Sequence, residues 1–576
     1  MKKFILGALK GGSEFPPESE QLIRAELFSI ERLEQHGESL AEAQQITTRR
    51  GAGRGLAKRL RENEKVLLEA YEATAKAIRE ERSITPAAEW LIDNFYVAQE
   101  QIRQIQEDLP RGFYRGLPKL AEGPFKGYPR VFGVAWAFVA HTDSRFEPEM
   151  LCRFVQAYQR RQPLTIGELW AVAITLRVVL VENLRRAVER IVNGRAARQV
   201  ADAVADRVLG AAGRQPEAPG AVLSVFAEKP VPRAFAVQLV QRLRDQDSKV
   251  TQALTWLDER LAAIGTTADE AVREEHQMQG AMNVTVRNVI TSMRMISAVD
   301  WAEFFESVSI VDAALRSGSD FAAMDFPTRD RYRHAIEELA RGSGQPELEV
   351  TRAAMALAIH PSSQMPNGGA GAPPREQEPG YYLISKGRRA LEKEIGFRIP
   401  ASEWLARANA AAGIFGYVGV IVIASTLILL LALHSVAVFG VTGWMLLVLA
   451  ILGVAPASDA AVALVNRGVA TIFGARTLPA MELAKGVPAS LRTMVVVPTL
   501  LTTQAEIDEQ IERLEVHYLA SQDGDLSFAL LSDWTDSATP HAPDDAALLA
   551  AAAAGIEHLN QRHGSASEGA RFFLLH

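Results

Sequence analysis

The feature that most constrains the fold of this chain is an uncharged apolar run from Gly413 to Ala455. Its two parts, on either side of His434-Ser435, are rich in Ile, Leu and Val. A helix needs about 20 apolar residues to cross the hydrocarbon core of a bilayer. One helix over the whole run would be longer than a typical domain is wide. The run therefore predicts a transmembrane helical hairpin over 413–455, in which Gly440 and Gly443 let the two helices approach closely.

Charged residues on either side of this run indicate the orientation of the hairpin. The run itself carries no charge, whereas basic residues precede the first span and follow the second: Lys386, Arg388, Arg389, Lys393, Arg398, Arg407, Arg467, Arg476 and Lys485. By the positive-inside rule, both flanking regions are expected in the cytoplasm. Residues 1–10 begin like a signal peptide, but their apolar stretch is short and no small-residue cleavage site follows it. We therefore expect no secretion signal.

Composition narrows the class of protein. The chain has 576 residues, and 62 Lys+Arg against 69 Asp+Glu give it a net charge of −7. This balance argues against a protein that coats nucleic acid, because phosphate contacts require a basic excess. Cys152 is the single cysteine, which excludes an internal disulfide and any zinc or iron–sulfur site built from several cysteines.

Residues 1–360 have the apolar spacing of amphipathic helices and almost none of the alternation typical of strands. Thr165 with Glu168, and Thr267 with Glu270, have the spacing of a capping box, in which two side chains satisfy free amides at a helix start. We predict an all-helical cytoplasmic region here, with a candidate split at 210–219. A flexible linker rich in Gly, Pro and Ser is expected over 361–380.

Three features of the helical region admit both a functional and a structural interpretation. Residues 111–130 interleave aromatic and basic side chains, which can bind sugars or phosphates, but a loop packed over the helices by its own aromatics is favoured. His141 and Asp143 could belong to a metal or catalytic site, yet no second ligand lies at helical spacing, so a structural histidine is favoured. Cys152 has no nearby histidine, which argues against a nucleophile.

The sequence pattern changes around and after the hairpin. Residues 381–412 are predicted to form membrane-proximal helices, and residues 456–488 an amphipathic segment at the membrane surface. Residues 489–576 then alternate strand and helix patterns, over 493–497, 504–520, 526–531, 544–562 and 571–575. This alternation is typical of the opening of a doubly wound α/β domain.

Ligands of such a sheet bind beyond the carboxyl ends of its strands. Pro498 and Thr499 follow the first predicted strand, and Asp533 follows the second. The strand is not followed by Gly-x-Gly-x-x-Gly and no Walker lysine is present, which disfavours dinucleotide and P-loop proteins. The pattern is similar to the nucleotide half of a sugar-nucleotide transferase, where an acidic side chain accepts a hydrogen bond from uracil. The alternative is that Asp533 and Asp536 only cap the following turn.

Several long segments together resemble the cyclic β-1,2-glucan synthases. They are TPAAEWLIDNF (85–95), YPRVFG with VAHTDSRF (128–146), QPLTIGELWAVAITLRVVLVENLRR (162–186), MDFPTRDRYRHAIEELAR (324–341), the hairpin, and VVVPTLL with FALLSDWTD (495–536). Members of this family are very large, multi-pass proteins of the bacterial inner membrane. The resemblance implies a mainly α chain: a cytoplasmic multi-helix N-terminal region, a two-helix transmembrane hairpin, and the first strands and helices of a GT-A-like glycosyltransferase domain.

The resemblance also implies an enzyme that polymerises glucose from UDP-glucose into β-1,2-glucan and closes the ring. Its expected partners are UDP-glucose, the growing glucan, the lipid bilayer and the C-terminal domains of the same polypeptide, including a phosphorylase-like domain, but no nucleic acid. A divalent metal, Mg²⁺ or Mn²⁺, bridges the donor diphosphate in such enzymes. Its Asp-x-Asp ligands and a later catalytic base are expected beyond the third strand. We therefore expect neither metal ligands nor catalytic residues in this chain.

Only Pro498, Thr499 and Asp533 are carried over, as donor-nucleotide contacts. Asp523-Gly-Asp525 has the letters of the metal motif, but it precedes the second strand, which indicates a turn. We expect the chain to be the N-terminal portion of such an enzyme, truncated within the transferase domain and inactive alone. The alternative is a membrane-tethered helical scaffold or interaction protein without catalytic activity. A reading frame that continues beyond His576 into a fourth strand with Asp-x-Asp would favour the enzyme.

Overall fold

The computed structural model describes residues 20–47, 55–82, 84–108, 112–210, 215–226, 231–244, 251–359, 375–473, 478–483, 486–521, 524–537, 539, 542–563 and 570–576. The predictions for residues 1–10, for most of the linker 361–380, and for Arg476, Lys485 and Asp523 lie outside the described residues. The chain divides into two compact units. The helical unit comprises 1–317, 336–372 and 387–397, and the second unit comprises 318–335, 373–386 and 398–576.

The described residues are mainly helical, as the sequence predicts. The helices are α1 (Ile30–Ala43), α2 (Leu56–Arg79), α3 (Pro86–Asp108), α4 (Phe113–Gly116), α5 (Arg130–His141), α6 (Pro148–Arg161), α7 (Ile166–Leu209), α8 (Pro219–Leu223), α9 (Arg233–Leu243), α10 (Thr251–Ala263), α11 (Ala268–Ala298), α12 (Trp301–Val308), α13 (Ile310–Ser317), α14 (Phe326–Ser343), α15 (Glu347–Ile359), α16 (Pro379–Ile384), α17 (Arg388–Glu394), α18 (Ala401–Val438), α19 (Trp444–Phe473), α20 (Gln504–Ala520) and α21 (Asp545–His563). The strands are β1 (Ile46–Thr47), β2 (Lys119–Leu120), β3 (Thr493–Leu501), β4 (Leu526–Trp534) and β5 (Phe572–Leu575).

The helical unit is built around α7, a helix of 44 residues that has buried residues along its whole length. Helices α2, α3, α5, α9 and α11 pack against it. Both predicted capping boxes are present, with Thr165 and Glu168 at the start of α7 and Thr267 and Glu270 at the start of α11. Helix α7 ends at Gly210, which adopts the left-handed conformation that commonly terminates helices. The split predicted at 210–219 falls within one apolar cluster, which contains residues of α7 before that loop and residues of α8, α9, α10 and α11 after it.

A buried carboxylate, Glu182, joins the middle of α7 to α2. Arg59 donates two hydrogen bonds to it, from Nη2 at 2.7 Å and from Nε at 3.0 Å, and Asn63 donates a third at 2.9 Å. Arg185 and Arg186 of α7 donate to the same carboxylate. Burial alone would raise the pKa of Glu182, but the hydrogen bonds and positive charges of these arginines lower it to about 2. The helices are therefore held together by a carboxylate that stays ionised.

A second buried ion pair lies at the N-terminus of α7. Arg130 and Glu168 have side chains only 2% and 0% exposed. The guanidinium donates from Nε to Oε1 at 2.8 Å and from Nη2 to Oε2 at 2.5 Å, and it also donates to Gln162 and to the carbonyl of Pro163. Because Glu168 also accepts the amide hydrogen of Thr165, one carboxylate both caps the helix and neutralises the arginine.

A second carboxylate at this helix start comes from α15. Glu347 Oε2 accepts a hydrogen bond from the Ile166 backbone N–H at 2.7 Å. Burial is the main cause that raises the pKa of Glu347 to about 7, and the nearby carboxylates of Glu337 and Glu168 also raise it. The hydrogen bond from the Ile166 N–H and the positive charge of Arg341 lower it in part. Glu347 is therefore a group of the helical unit whose charge changes near neutral pH.

In the second unit, α18 and α19 pack against each other as an antiparallel pair. They contain two segments long and apolar enough to cross a membrane, Gly413–Val438 and Trp444–Thr471. At the end of the pair distant from the connecting turn, the Tyr417 hydroxyl donates a hydrogen bond to Asn466 Oδ1 at 2.6 Å. Residues 456–473, the first part of the segment 456–488 predicted to lie at the membrane surface, continue the helix of the second segment.

The position of the hairpin turn and the role of its glycines differ from the prediction. His434-Ser435 does not interrupt the first helix, because the Ser435 hydroxyl donates back to the Leu431 carbonyl within α18. The turn instead contains Gly440 and Gly443, with φ of +92° and +69°, values that favour glycine. The close helix–helix approach occurs elsewhere: a Cβ on Gly453 would lie 2.8 Å from Leu429 Cδ1.

The C-terminal part of the second unit is a small parallel sheet with strand order β3-β4-β5. Helices α20 and α21 cover one face of this sheet, where Leu514, Phe528, Leu530, Ile556 and Phe572 form a buried cluster. The prediction that the first strand ends before Pro498 is wrong, since β3 continues to Leu501. Pro498 is tolerated because β3 is an edge strand among the described residues and its outer side needs no amide donor.

Replacing Arg130 with Met tests the buried ion pair. The substitution leaves the Glu168 carboxylate buried without its partner, so we expect the free energy of unfolding to fall by about 3–5 kcal/mol. Adding Glu168→Gln removes the uncompensated charge but keeps a capping side chain, so R130M/E168Q recovers part of this loss. Urea unfolding of the detergent-solubilised chain, followed by far-UV circular dichroism, measures the change.

The control for R130M is Arg103→Met, which removes an exposed arginine paired with Glu100 and Glu107. We expect that change to cost less than about 1 kcal/mol, because solvent screens exposed ion pairs. An R130M variant no less stable than R103M would contradict the role assigned to the buried pair.

Replacing Glu347 with Gln tests the titrating carboxylate. Because the pKa of Glu347 is raised to about 7 in the folded chain, its stabilising contribution is complete below the unfolded pKa, near 4.5, and is lost as pH rises through 7. The E347Q variant still accepts the Ile166 amide hydrogen and has no charge to bury. We expect it to match the wild type closely at pH 4.5 and to exceed it by roughly 3 kcal/mol at pH 8 in urea unfolding. Glu349→Gln, an exposed position on the same helix, should leave the pH dependence unchanged; equal pH profiles for E347Q and the wild type would be the contrary result.

Candidate functional site

Parallel pairing brings the ends of β3 and β4 to one edge of the sheet. In the register of the two strands, Thr499 lies opposite Ser532 and Leu500 lies opposite Asp533. Because successive side chains of a strand point to opposite faces, Thr499 and Ser532 lie on the face covered by the helices. Pro498 and Asp533 lie on the other face. The structure thus places all three predicted residues near the carboxyl edge, but it divides them between the two faces of the sheet.

Asp533 is an exposed carboxylate in the penultimate position of β4. Its Oδ1 accepts a hydrogen bond from the backbone N–H of Trp534 at 2.8 Å. The other carboxylate oxygen has no hydrogen-bond partner among the described residues. The hydrogen bond from the Trp534 N–H is consistent with Asp533 capping the turn that follows the strand. The second carboxylate oxygen could accept a hydrogen bond from a ligand. Both interpretations of Asp533 therefore fit its geometry.

Two residues at this edge were missed by the sequence reasoning. Ser532 is 5% exposed, and its hydroxyl oxygen lies 2.9 Å from Nδ1 of His576, the residue that follows β5. The imidazole also meets the Trp534 ring edge-on, with ring centroids 4.3 Å apart. The position of His576 directly after the third predicted strand could have identified it. Asp533 was selected because ligands bind beyond the carboxyl ends of parallel strands, and the same rule applies to the third strand.

The described carboxylates at this edge are not grouped as the ligands of a metal ion would be. Among the residues that the structure describes, no group of three or more His, Cys, Asp or Glu side chains is placed to hold an ion. Asp525, from the motif with metal-like letters, lies at the opposite end of the sheet, where it pairs with Arg492 at 3.0 Å. The neighbouring Gly524 has a φ of +96°, typical of the turn that the sequence predicts there.

The other candidate residues have structural contacts. His141 Nδ1 lies 2.8 Å from the Glu26 carbonyl, and its ring stacks on Phe28 with a centroid distance of 4.0 Å. In the region 111–130, Phe125 contacts the ring of Trp136, and the Arg186 guanidinium also lies against that ring, 4.9 Å from its centroid. These contacts favour the packed-loop interpretation over a free sugar-stacking surface.

The structural features define a class: a mainly helical protein with two candidate membrane-spanning helices and a small parallel sheet near its C-terminus. Over 566 residues the chain is 38% identical to the cyclic β-(1,2)-glucan synthase NdvB of Rhizobium meliloti (strain 1021), which confirms the resemblance to the cyclic β-1,2-glucan synthases. The alignment covers 97% of this chain, and the chain spans only 20% of the length of that relative. No protein-family model matches the chain.

Proposed function

We propose that this chain is part of an enzyme that polymerises glucose from UDP-glucose into cyclic β-1,2-glucan. In this proposal, residues 489–576 are the nucleotide-binding half of its GT-A-like transferase domain. The observation that carries the proposal is the 38% identity that extends over 97% of the chain. The parallel strand order supports it, because open parallel sheets bind ligands at the carboxyl edge, where Pro498, Thr499 and Asp533 lie.

The chemistry of the edge suits a uracil nucleotide. The N3–H of uracil is a hydrogen-bond donor, and the Asp533 oxygen without a described partner is an acceptor that carries charge, which makes such a bond stronger than a neutral one. Pro498 lies two residues before Leu500, the register partner of Asp533, and on the same face of the sheet as Asp533, whereas Thr499 reaches the carboxyl edge on the opposite face. A divalent metal would neutralise the diphosphate in the complete enzyme. Its ligands are proposed to lie beyond the third strand.

The proposal includes a membrane location. Helices α18 and α19 would cross the bacterial inner membrane as a hairpin of a multi-pass protein, with the helical unit and the transferase part on the cytoplasmic side. The two apolar segments and the basic residues that flank them support this orientation. The Tyr417 hydroxyl would then lie near the cytoplasmic interface, a position where tyrosine is enriched.

UDP binding tests the proposed site. We expect the detergent-solubilised chain to bind UDP more tightly than ADP or CDP, and Asp533→Asn to weaken UDP binding about tenfold, because it removes the charge of the acceptor. Ligand-observed NMR titration measures these affinities. Asp536→Asn is the matched control, since Asp536 is an exposed carboxylate three residues further on, and it should bind as the wild type does. Failure of the wild-type chain to bind UDP would overturn the proposal for this site.

Catalysis by the chain alone is tested separately. We expect no glucosyl transfer when the purified chain is incubated with UDP-glucose and Mg²⁺ or Mn²⁺, because the Asp-x-Asp motif and the later base of the family are proposed to lie beyond the third strand. UDP release in a coupled assay gives the readout, with the protein-free mixture as the reference. Release well above that reference would mean that this chain holds a complete catalytic centre.

A further inference from the structure

One carboxylate lies within the second membrane-length segment, in α19. The helix rises about 22 Å from Trp444 to Asp459 and about 10 Å from Asp459 to Asn466, which together match a hydrocarbon core of about 30 Å. Trp444 and Tyr417, which donates to Asn466, are residue types enriched at the two membrane interfaces. In the membrane location proposed above, Asp459 therefore lies about 10 Å inside the cytoplasmic boundary.

Asp459 lies on the side of α19 opposite its buried face. Ala457 and Ala461, two positions before and after it, are 6% and 0% exposed, and residues two positions apart on a helix lie on opposite sides. Among the described residues, Asp459 makes no hydrogen bond or ion pair. Lysine and arginine can extend their charge to a membrane interface, but the aspartate side chain is too short to do so. The carboxylate therefore needs a partner from outside these residues.

The backbone on the same side of α19 lacks a hydrogen-bond donor. Pro456 has no amide hydrogen, so the Leu452 carbonyl loses its usual donor within the helix. Leu452 lies two turns before Asp459 and therefore on the same face. Ala455 and Ala463, four positions before and after Asp459, are small enough to let another helix approach closely. This face thus combines hydrogen-bond acceptors with room for a helix that brings donors.

A charge at this depth of a membrane is found where it is paired or faces water. We propose that the Asp459 face (Leu452, Ala455, Asp459 and Ala463) packs against a further membrane helix, whose lysine or arginine pairs with Asp459. The pairing rests on the membrane location proposed above. A basic side chain is selected because it offsets the carboxylate and also donates hydrogen bonds. The chain spans only 20% of the length of its relative, so the complete polypeptide of the proposed function has further chain to supply such a helix.

Substitution of Asp459 in the complete polypeptide tests the pairing, because the alternatives predict effects of different sign. Membrane vesicles are heated, solubilised in mild detergent and analysed by size-exclusion chromatography for the temperature at which half of the assembled protein is lost. We expect Asp459→Leu to lower this temperature by about 3–6 °C, because it leaves the partner's charge buried and unpaired. Asp459→Glu keeps the charge and should lower it less. The control Thr426→Leu removes a hydroxyl that donates within its own helix and should leave the temperature unchanged.

The same variant in the 576-residue chain shows where the partner lies. This chain has the Asp459 face without the proposed partner helix, so D459L should not lower its transition temperature. A loss of stability in this chain would place the partner within it or in a second copy, and would overturn the inference. In the complete polypeptide, an unchanged temperature for D459L would indicate a carboxylate that faces water, and a raised one a carboxylate that faces lipid. Either result would also overturn the inference.

Thiol labelling separates this inference from the proposed membrane location. With Cys152→Ser the chain has no other cysteine, so an introduced cysteine is the one reactive thiol. In inside-out vesicles we expect a membrane-impermeant maleimide to label Thr471→Cys and to leave Asp459→Cys unlabelled, because the reactive thiolate does not form in hydrocarbon. Equal labelling of the two would overturn the proposed membrane location of this segment. Protection of D459C together with no loss of stability in D459L would overturn only the pairing of Asp459.

Discussion

The helical unit depends on the burial of the N-terminus of α7, where free amides must find acceptors without water. Thr165 and Glu168 satisfy two of them from within the chain's own first turn, and Glu347 satisfies a third from a distant helix. Bringing these carboxylates together concentrates negative charge, and Arg130 offsets the charge of Glu168 through two hydrogen bonds. The packing of the longest helix is thus tied to one arrangement of polar groups, since any other would leave a buried charge without a partner.

The second unit is governed by a different constraint. Parallel strands require crossover connections, and here each crossover is a helix, α20 or α21, that packs on the same face. The consequence is that all carboxyl ends meet at one edge. Chain segments at 499–501, 532–534 and 575–576 become neighbours there, so an exposed carboxylate, a buried hydroxyl and an imidazole lie together. Each of these side chains is common in proteins, and the edge is a candidate ligand site because the sheet brings them next to one another.

Patterns among neighbouring residues were sufficient to predict many of the helices and strands. The capping boxes were readable because both partners lie three residues apart, and the alternation of strands and helices after residue 489 matched the observed elements closely. The hairpin was readable as two apolar segments, but its turn was misplaced. A hydrophilic pair such as His434-Ser435 signals a loop in water, yet a serine inside an apolar helix satisfies its hydroxyl on the preceding turn and leaves the helix intact.

The sequence by itself determined which segments are helix, strand or membrane-length helix, and the long segments that relate the chain to the glucan synthases, because such signals arise from neighbouring residues. Tertiary structure alone decided which distant residues meet. Glu347 contacts Ile166 across 181 residues and His576 contacts Ser532 across 44, and nothing in either local sequence specifies its partner. Tertiary structure also placed Thr499 and Asp533 on opposite faces, because strand register, which sets the side of every residue, is fixed only when the whole sheet packs.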